Sequence, residues 1–579
     1  YSTTGFATWY YGYITVFLSE YILATGDISV LPGLRRIAME AAYGQSIVGS
    51  WGHKFAGPDG RLVGYGMMNS PGAVLTIGLV LAREAGVDEP EVDTAIERSA
   101  KLLRFYVGKG SVPYGDHAPN MGGHEDNGKC GMAAVLFDQL GEAEGSRFFS
   151  KMSTAAYGYD RDKGHTGNYF NLAWAMPGVA RGGPNATGAW MEKFGSWYFD
   201  LARKWDWSFP HQGPPQASND KYGGWDASGV YLIAYAMPRQ AIRLTGSKPF
   251  TTPAISPEEA AGLIQDGDKS SMTDAFSALG SWSPIVRSRA AIDLAAQSNV
   301  AIDPIIQLLD DPTIEARLGA CEAISRLGSR AEAAVPKLRA TLQADDLWLR
   351  VKAAEALTAI GSAALVAAPD LLEMVTSGPT EEDPRGMEQR YLVETLFAGM
   401  LKNSLQNVDR QLLLDAVRAG LQNQDGHARG TLAVVYEKLP FEDLQPILLP
   451  IHRAIFEPAP SGIMFDGTIQ TAGLDLFTRN YIDEGIELSA NYLRTQKKHG
   501  SQARVAVYLD MLKRYGADAK RAIPILENTV YYFENEEEDF PTYLSYEKAA
   551  EVRDAISVIS TLGNGVALSS VLSEAYETD

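Results

Sequence analysis

The sequence predicts an all-α protein in two parts. The first is a set of helix pairs closing into an α/α toroid over residues 1–247; the second is an α-solenoid over residues 258–579. Three observations carry this reading. Gly and aromatic residues crowd the first part and thin out after about residue 245. The second part is rich in Ala, Leu, Glu and Arg, all good helix formers, and it repeats. Between them, Thr245 to Pro257 holds Pro249, Pro253 and Pro257 in a polar setting, which suits a linker over residues 248–257. At 579 residues the chain is also too long for one hydrophobic core.

In the first part, helices rich in small and aromatic residues begin near Gly5, Ser70, Asn127, Thr166 and Ala227. Gly26, Gly86, Gly141 and Gly246 stand where helix C-caps belong. More polar helices run between them, over Glu91–Val107 and Glu142–Ala156. A toroid has this alternation, because its inner helices are buried all round and its outer helices on one face only. The loops leading into the inner helices share a theme: Trp51-Gly-His53, Tyr114-Gly-Asp-His117, Tyr157-Gly-Tyr-Asp160 with Gly164-His165, and Trp207-Ser-Phe-Pro-His211. Closing the helices into a ring gathers these loops around a funnel.

The second part repeats in two registers at once. Arg287, Arg317 and Arg350 each precede an Ala by three residues (Ala290, Ala320, Ala353). Pro304, Pro336 and Pro369 follow near the starts of second helices, where Pro is tolerated. The Arg spacings are 317−287=30 and 350−317=33, and the Pro spacings are 336−304=32 and 369−336=33. Asp310-Asp311-Pro312 and Asp345-Asp346 sit between units as caps should. These segments resemble the short form of HEAT repeat. The pattern returns at Arg504 and Pro524 and is degenerate between residues 380 and 500. Each helix pair is expected to bury its apolar face on its neighbours. Glu536-Glu-Glu-Asp539 reads as a solvated loop.

In layout the first part resembles the α/α-toroid superfamilies: terpenoid cyclases, protein prenyltransferases, and many glycoside hydrolases and polysaccharide lyases. It also resembles an uncharacterised bacterial domain family joined to HEAT repeats. About five helix pairs are visible. The rest of a six-pair ring is expected upstream of Tyr1 or from the repeat region, since the chain opens in mid-pattern as a truncated or processed protein would.

Two clusters carry the densest chemistry. Tyr114 to Gly128 supplies Asp116, His117, His124, Glu125 and Asp126 just before an apolar helix. Tyr157 to Tyr169 supplies Asp160, Asp162, His165, Asn168 and Tyr169. A plainer reading has Asp126 or Asn127 capping the helix after a Gly122-Gly123 turn, and an Arg–Asp pair with a Thr166 cap closing the second cluster. Carboxylates and imidazoles in a semi-enclosed site suit general acid/base work. With Trp51, His53, Tyr114, Trp225 and Asp226, the funnel is rich in aromatic, Asp, Glu, His and Asn side chains and poor in Lys and Arg, which suits a neutral polyhydroxylated ligand.

The expected activity is therefore a glycoside hydrolase, with Glu125 or Asp126 opposing Asp160 or Asp162. A polysaccharide lyase using His165 or Tyr169 as base and Asn168 against a uronate is the second reading. A non-enzymatic HEAT scaffold that binds a protein partner is the third.

No cofactor is expected. Terpenoid cyclases use an Asp-x-Asp-Asp run, and Asp160-Arg-Asp162 lacks its final pair. A zinc site from His117, His124, Asp126 and Cys130 follows no standard spacing. The net charge of −20, with no Lys/Arg run, argues against nucleic acid. No apolar run reaches bilayer length, so a soluble chain is expected, its compartment open and export one option. Cys130 and Cys321 lie in different halves and make no disulfide framework.

Overall fold

The computed structural model describes residues 5–62, 64–156, 158–162, 168–211, 225–268, 274–406, 408–460, 467–496, 501–538 and 540–572. These residues are helices and connecting turns, with only isolated β-bridges such as Met68–Gly115 and Ser111–Asn120. The chain is all-helical. It divides into two compact units, Tyr1–Ala363 with Pro460–Gly462, and Ala364–Ala459 with Ile463–Asp579.

The first unit begins with α1 (Ala7–Thr25), α2 (Leu31–Tyr43), α3 (Asn69–Glu84), α4 (Pro90–Arg104), α5 (Lys129–Leu140) and α6 (Ala143–Ala155). The single turn α7 (Tyr159–Asp162) precedes α8 (Asn168–Ala180), α9 (Gly183–Gly195) and α10 (Ser228–Ala236). Helices α1, α3, α5, α8 and α10 pack in that succession, and α2, α4, α6 and α9 lie against them. Helix α3 is buried from Asn69 to Ala82 and α5 from Lys129 to Asp138. Helix α4 instead buries only Val92, Ala95, Ile96, Ser99, Ala100, Leu102 and Leu103, a one-sided stripe.

Glycines let the inner helices approach closely. A Cβ on Gly12 would stand 2.9 Å from Val74 Cγ1, and one on Gly131 would stand 2.4 Å from the Trp174 carbonyl oxygen. Helices α1 and α8 meet through large rings instead. Trp9 stacks on Phe170 at 5.0 Å, and Trp174 Nε1 donates to the Tyr13 hydroxyl at 3.4 Å. The pairing of Trp9 with Phe170 and Tyr13 with Trp174 makes these two helices parallel. Toward the other end of α1, the buried Glu20 carboxylate accepts the backbone N–H groups of Arg243 and Leu244.

The expected glycine caps are present: Gly26 and Gly141 close α1 and α5 in the left-handed conformation. The Pro-rich segment before residue 257 is held along its length. Thr251 N–H donates to Asp138, Thr252 bonds Ser146, and fully buried Ile255 donates its N–H to the Gly182 carbonyl.

The first unit continues with α11 (Pro257–Gly267), α12 (Ala275–Ala278), α13 (Pro284–Ala296), α14 (Ile302–Gln307), α15 (Ile314–Leu327), α16 (Val335–Thr341) and α17 (Leu347–Ile360). Helices α13, α15 and α17 stack in order. The recurring Arg closes the loop ahead of its own helix. Arg287 Nη1 donates to the carbonyls of Ser281 and Trp282, and Arg350 Nη1 to those of Ala344 and Asp345. Both bonds reach back six and five residues, so the Arg repeats wherever the loop does. Asp346 caps α17 by accepting the Leu349 N–H, while Asp311 accepts the N–H of Thr313 in the turn before α15.

The second unit holds α18 (Ala368–Ser377), α19 (Met387–Thr395), α20 (Arg410–Gly420), α21 (Gly426–Thr431), α22 (Ala433–Lys438), α23 (Phe441–Leu444) and α24 (Leu448–Phe456). After these come α25 (Gly467–Arg479), α26 (Glu484–Asn491), α27 (Arg504–Arg514), α28 (Ile523–Asn535) and α29 (Thr542–Thr561). The stretch that looks degenerate in sequence keeps the same device: Arg429 Nε donates to the Asn423 carbonyl, six residues back, and Asp425 caps α21. No helix among the described residues is long and apolar enough to cross a membrane.

Candidate functional site

The loops leading into α3, α5 and α8 are laced together by hydrogen bonds to their backbone groups. Thr8 Oγ1 donates to the Gly52 carbonyl, Met68 N–H to that of Trp51, and Asn69 N–H to that of Tyr114. The His124 N–H donates to Asp160 Oδ2, and the Gly128 N–H to Asn171 Oδ1. Turns far apart in sequence thus meet at one end of the inner helices, in three groups.

The first group surrounds the start of α5. The Glu125 carboxylate is 0% exposed. Its Oε1 accepts the N–H groups of Asp126 and Cys130, and its Oε2 accepts that of Gly131, each at 2.9 Å. The Cys130 and Gly131 N–H groups are donors that a helix start leaves without intrahelical partners, and an anionic acceptor is favoured there. The left-handed Asn127 and Gly128 fold the chain back so that the longer glutamate arm reaches them. Glu125 is the cap, in place of the expected Asp126 or Asn127.

Arg161 lies behind Glu125, fully buried, with Nη1 3.8 Å from Oε2. It also donates to the carbonyls of Ala156, Asn171 and Ser153. Burial pulls its pKa down while Glu125 pushes it back up. Arg161 therefore pairs with Glu125, and the Asp162 side chain of its own turn lies outside the described residues.

His124 is fully buried, its Nε2 2.8 Å from Ser283 Oγ and its Nδ1 3.9 Å from Asp160 Oδ2. Asp160 is itself buried. Lys129 Nζ, also buried, sits 3.2 Å from Asp126 Oδ2, and desolvation lowers its pKa. The loop bearing Glu125 and the turn bearing Asp160 are in direct contact through the His124 N–H. The Cys130 thiol is buried and pushed well above its ordinary pKa by desolvation and by Glu125. No group of three or more His, Cys, Asp or Glu residues suited to a metal ion occurs among the described residues.

The second group is His117, Tyr65 and Tyr114. Tyr65 OH and His117 Nε2 are 2.7 Å apart, Tyr114 meets Tyr65 edge to face, and Tyr106 OH donates to the His117 carbonyl. Asp116 is buried beside them in sequence.

The third group is aromatic. Phe6 packs on His53, whose Nδ1 accepts the Trp9 indole N–H at 3.1 Å, and Trp9 stacks on Phe170. Phe170 adjoins Tyr169, which meets Trp225 edge to face at 5.3 Å and lies 6.5 Å from the His211 ring. Trp225 is 43% exposed and Asp226 is exposed. Hydrogen bonds from Ser228 hold the Asp226 carboxyl below its ordinary pKa, while burial and Asp226 raise that of Tyr169.

Trp51 does not join this surface. It is fully buried, and its indole N–H donates to the Ala41 carbonyl at 2.8 Å, so it offers no face to a sugar. His165 and Thr166 lie outside the described residues, as do the side chains of Asp162 and Asn168. Sequence reasoning did not single out Arg161 as the partner of Glu125, nor Phe6, Trp9 and Phe170. The aromatic spacing at the start of α1 was the available signal for the latter. Hollows of about 280 and 550 Å³ open elsewhere, the first lined by Tyr43, Glu91 and Arg98 and the second by Leu31, Arg35 and Met39.

Residues 1–246 match a family model described as a domain of unknown function (DUF6288). A comparison with curated proteins returned no match. Among solved structures, one similar chain comes from the work "Kap95p Binding Induces the Switch Loops of RanGDP to adopt the GTP-bound Conformation: Implications for Nuclear Import Complex Assembly Dynamics". The two are 12% identical over 91% of this chain and 77% of that one, with a TM-score of 0.35. Residues 272–357 and 302–385 match the model for HEAT repeats, and the chain therefore carries HEAT repeats after a region similar to a domain of unknown function.

Proposed function

We propose that this chain is a non-catalytic binding protein, with a helical body over residues 1–247, a connection over 248–257 and a HEAT solenoid over 258–579 that holds a protein partner. The body is read as part of an α/α toroid whose inner ring runs through α1, α3, α5, α8 and α10. One observation carries the reading: Glu125, the best-placed acid of the sequence, gives both carboxylate oxygens to backbone N–H groups and has Arg161 behind it. A hydrolase needs two carboxyl groups separated by roughly 5–9.5 Å with a sugar between them. Here the segments bearing Glu125 and Asp160 touch. HEAT arrays present long surfaces to partners, which fits the same reading.

A second reading keeps a glycan as ligand, favoured by the exposed edge of Trp225 beside Tyr169 and Asp226. The test is product release from a panel of oligo- and polysaccharides, followed by mass spectrometry and by absorbance of unsaturated ends. The native chain is expected to release nothing. Release that disappears in Asp160→Asn would replace the binding reading with the hydrolase. Retention of an uncut glycan, lost in Trp225→Ala, would favour the second reading.

A further inference from the structure

Helix α1 is patterned the wrong way round for a surface helix. Its buried residues are mostly small or polar, among them Ala7, Gly12, Thr15 and Ser19. They let α1 lie close on α3, where a Cβ on Gly78 would stand 3.0 Å from Thr15 Cβ. Several of its bulkiest side chains face outward instead. Phe17 is 68% exposed and Tyr10 64%, and Phe6, Ile14 and Tyr21 are exposed with them. Of the 19 residues of α1 only Glu20 is charged, and the N–H groups of Arg243 and Leu244 take its carboxylate. A helix apolar on every side belongs inside a protein rather than on its surface.

The outward residues form one seam. Tyr10, Ile14, Phe17, Tyr21 and Ala24, all exposed, follow one another at spacings of 4, 3, 4 and 3 residues. That is the period at which one helix packs along another. The seam also tapers, with Phe6 and Tyr10 at one end, Ala24 and Gly26 at the other, and Phe17 midway between Tyr10 and Ala24. Two such seams laid antiparallel about Phe17 set Tyr10 over the partner's Ala24 and Ile14 beside the partner's Tyr21. Bulky then meets small at both ends. Laid parallel, the same seams would crowd at Tyr10 and gape at Ala24. A two-fold interface requires this reciprocity, in which each position meets its counterpart in both directions.

Charge and area point the same way. The chain carries a net charge of −20, so two copies repel one another, and the seam adds nothing to that repulsion. Its large side chains expose about 500 Å² on each copy, so pairing covers about 1,000 Å², the lower bound for a specific interface. We propose that α1 is a self-association surface, through which two copies of this chain pair as antiparallel helices about a two-fold axis at Phe17. The pairing uses α1 alone, so it stands whether or not the HEAT repeats hold a partner.

Sedimentation velocity of the full chain is the test. An interface of this size gives micromolar association, so the mean mass should climb toward twice the monomer's between about 1 and 100 μM. Phe17→Glu sets a charge on each side of the axis and should leave a monomer across that range. Because Phe17 is exposed, the melting temperature of a dilute sample should not change. Disulfides read the register: Phe17→Cys chains should cross-link on oxidation, and Tyr10→Cys chains should cross-link to Ala24→Cys chains in preference to themselves. Cys130 and Cys321 are buried and leave that readout clean. A native chain that stays monomeric throughout, or a dimer that Phe17→Glu leaves intact, would overturn the proposal. So would Tyr10→Cys chains that cross-link as readily to themselves as to Ala24→Cys chains. Flotation of a monomeric chain on phosphatidylcholine vesicles, lost in Phe17→Glu, would give the seam to lipid and overturn it equally.

Discussion

The loops that lead into the inner helices and the loops between HEAT helices solve one problem with opposite charges. Near α5 the groups needing partners are backbone N–H donors, and a carboxylate, Glu125, takes three of them. Between the repeats the groups needing partners are loop carbonyls, and guanidinium groups such as Arg287 and Arg350 take two each. In both places a charged side chain completes the hydrogen bonding of a turn that helix geometry leaves open. The arginines look structural in sequence because they recur. Glu125 looks catalytic because it stands once, among His and Asp. The difference teaches that a crowd of titratable residues in a loop marks a demand for polar partners, and chemistry is only one source of that demand.

The comparison breaks most readily at Arg161. Replacing it with Met leaves Glu125 buried without its cation and the carbonyls of Ala156, Asn171 and Ser153 without their donor. The expected cost is roughly 3–5 kcal/mol, measured by denaturant unfolding. A loss below about 1 kcal/mol would mean that the pair is not holding α5 and α8 together.

Arg350→Ala tests the repeat side. It removes two hydrogen bonds from a charged donor to loop carbonyls, with an expected loss of about 2–4 kcal/mol in the first unit. Arg429→Ala should behave in the same direction in the second unit if the device is shared, and a neutral result there would separate the two. Trp225→Ala sharpens the contrast from the exposed side. Its stability effect should stay within about 1 kcal/mol, because the ring is partly solvated and meets Tyr169 and His211 edge to face.

The smallest effect carries a pH sign. Burial raises the Glu484 pKa, but the bonds from Ser570 and from the Leu572 and Val571 N–H groups outweigh it and leave the carboxyl below its ordinary value. A carboxyl depressed in the folded state contributes stability above its unfolded pKa and loses it as pH falls through the folded one. The melting-temperature difference between the native chain and Glu484→Gln should therefore be largest near neutral pH and shrink toward pH of about 4. A difference that is flat or grows on acidification would contradict the hydrogen-bonding pattern at the end of the chain.

Much of the fold was legible in the sequence. The inner helices start at Asn69, Lys129, Asn168 and Ser228, close to where the small and aromatic runs begin, because burial on all sides removes the polar positions a surface helix would carry. The HEAT register was readable because the Arg-to-carbonyl bond spans only five or six residues. Arg429 keeps that local bond, yet the stretch around it looked degenerate because its neighbours changed.

The site was less legible. The convergence of the leading loops was expected, and His53, Tyr169 and Trp225 do fall along one aromatic surface. What the residues do on arrival depends on depth. Trp51 and Trp225 have the same chemistry in sequence, and only the packed structure shows one fully buried and the other on the surface. The cap was misjudged for a geometric reason. Left-handed Asn127 and Gly128 displace the helix start, so a glutamate one residue further back reaches the N–H groups that Asp or Asn usually serves.

Thermal unfolding of Glu125→Gln at neutral pH tests the central claim most directly. If this carboxylate serves the fold, the variant loses a charge-assisted acceptor for three N–H groups and should unfold with a stability deficit of at least about 2 kcal/mol. A variant that melts with the native chain would contradict the account and return Glu125 to the role of a reactive acid.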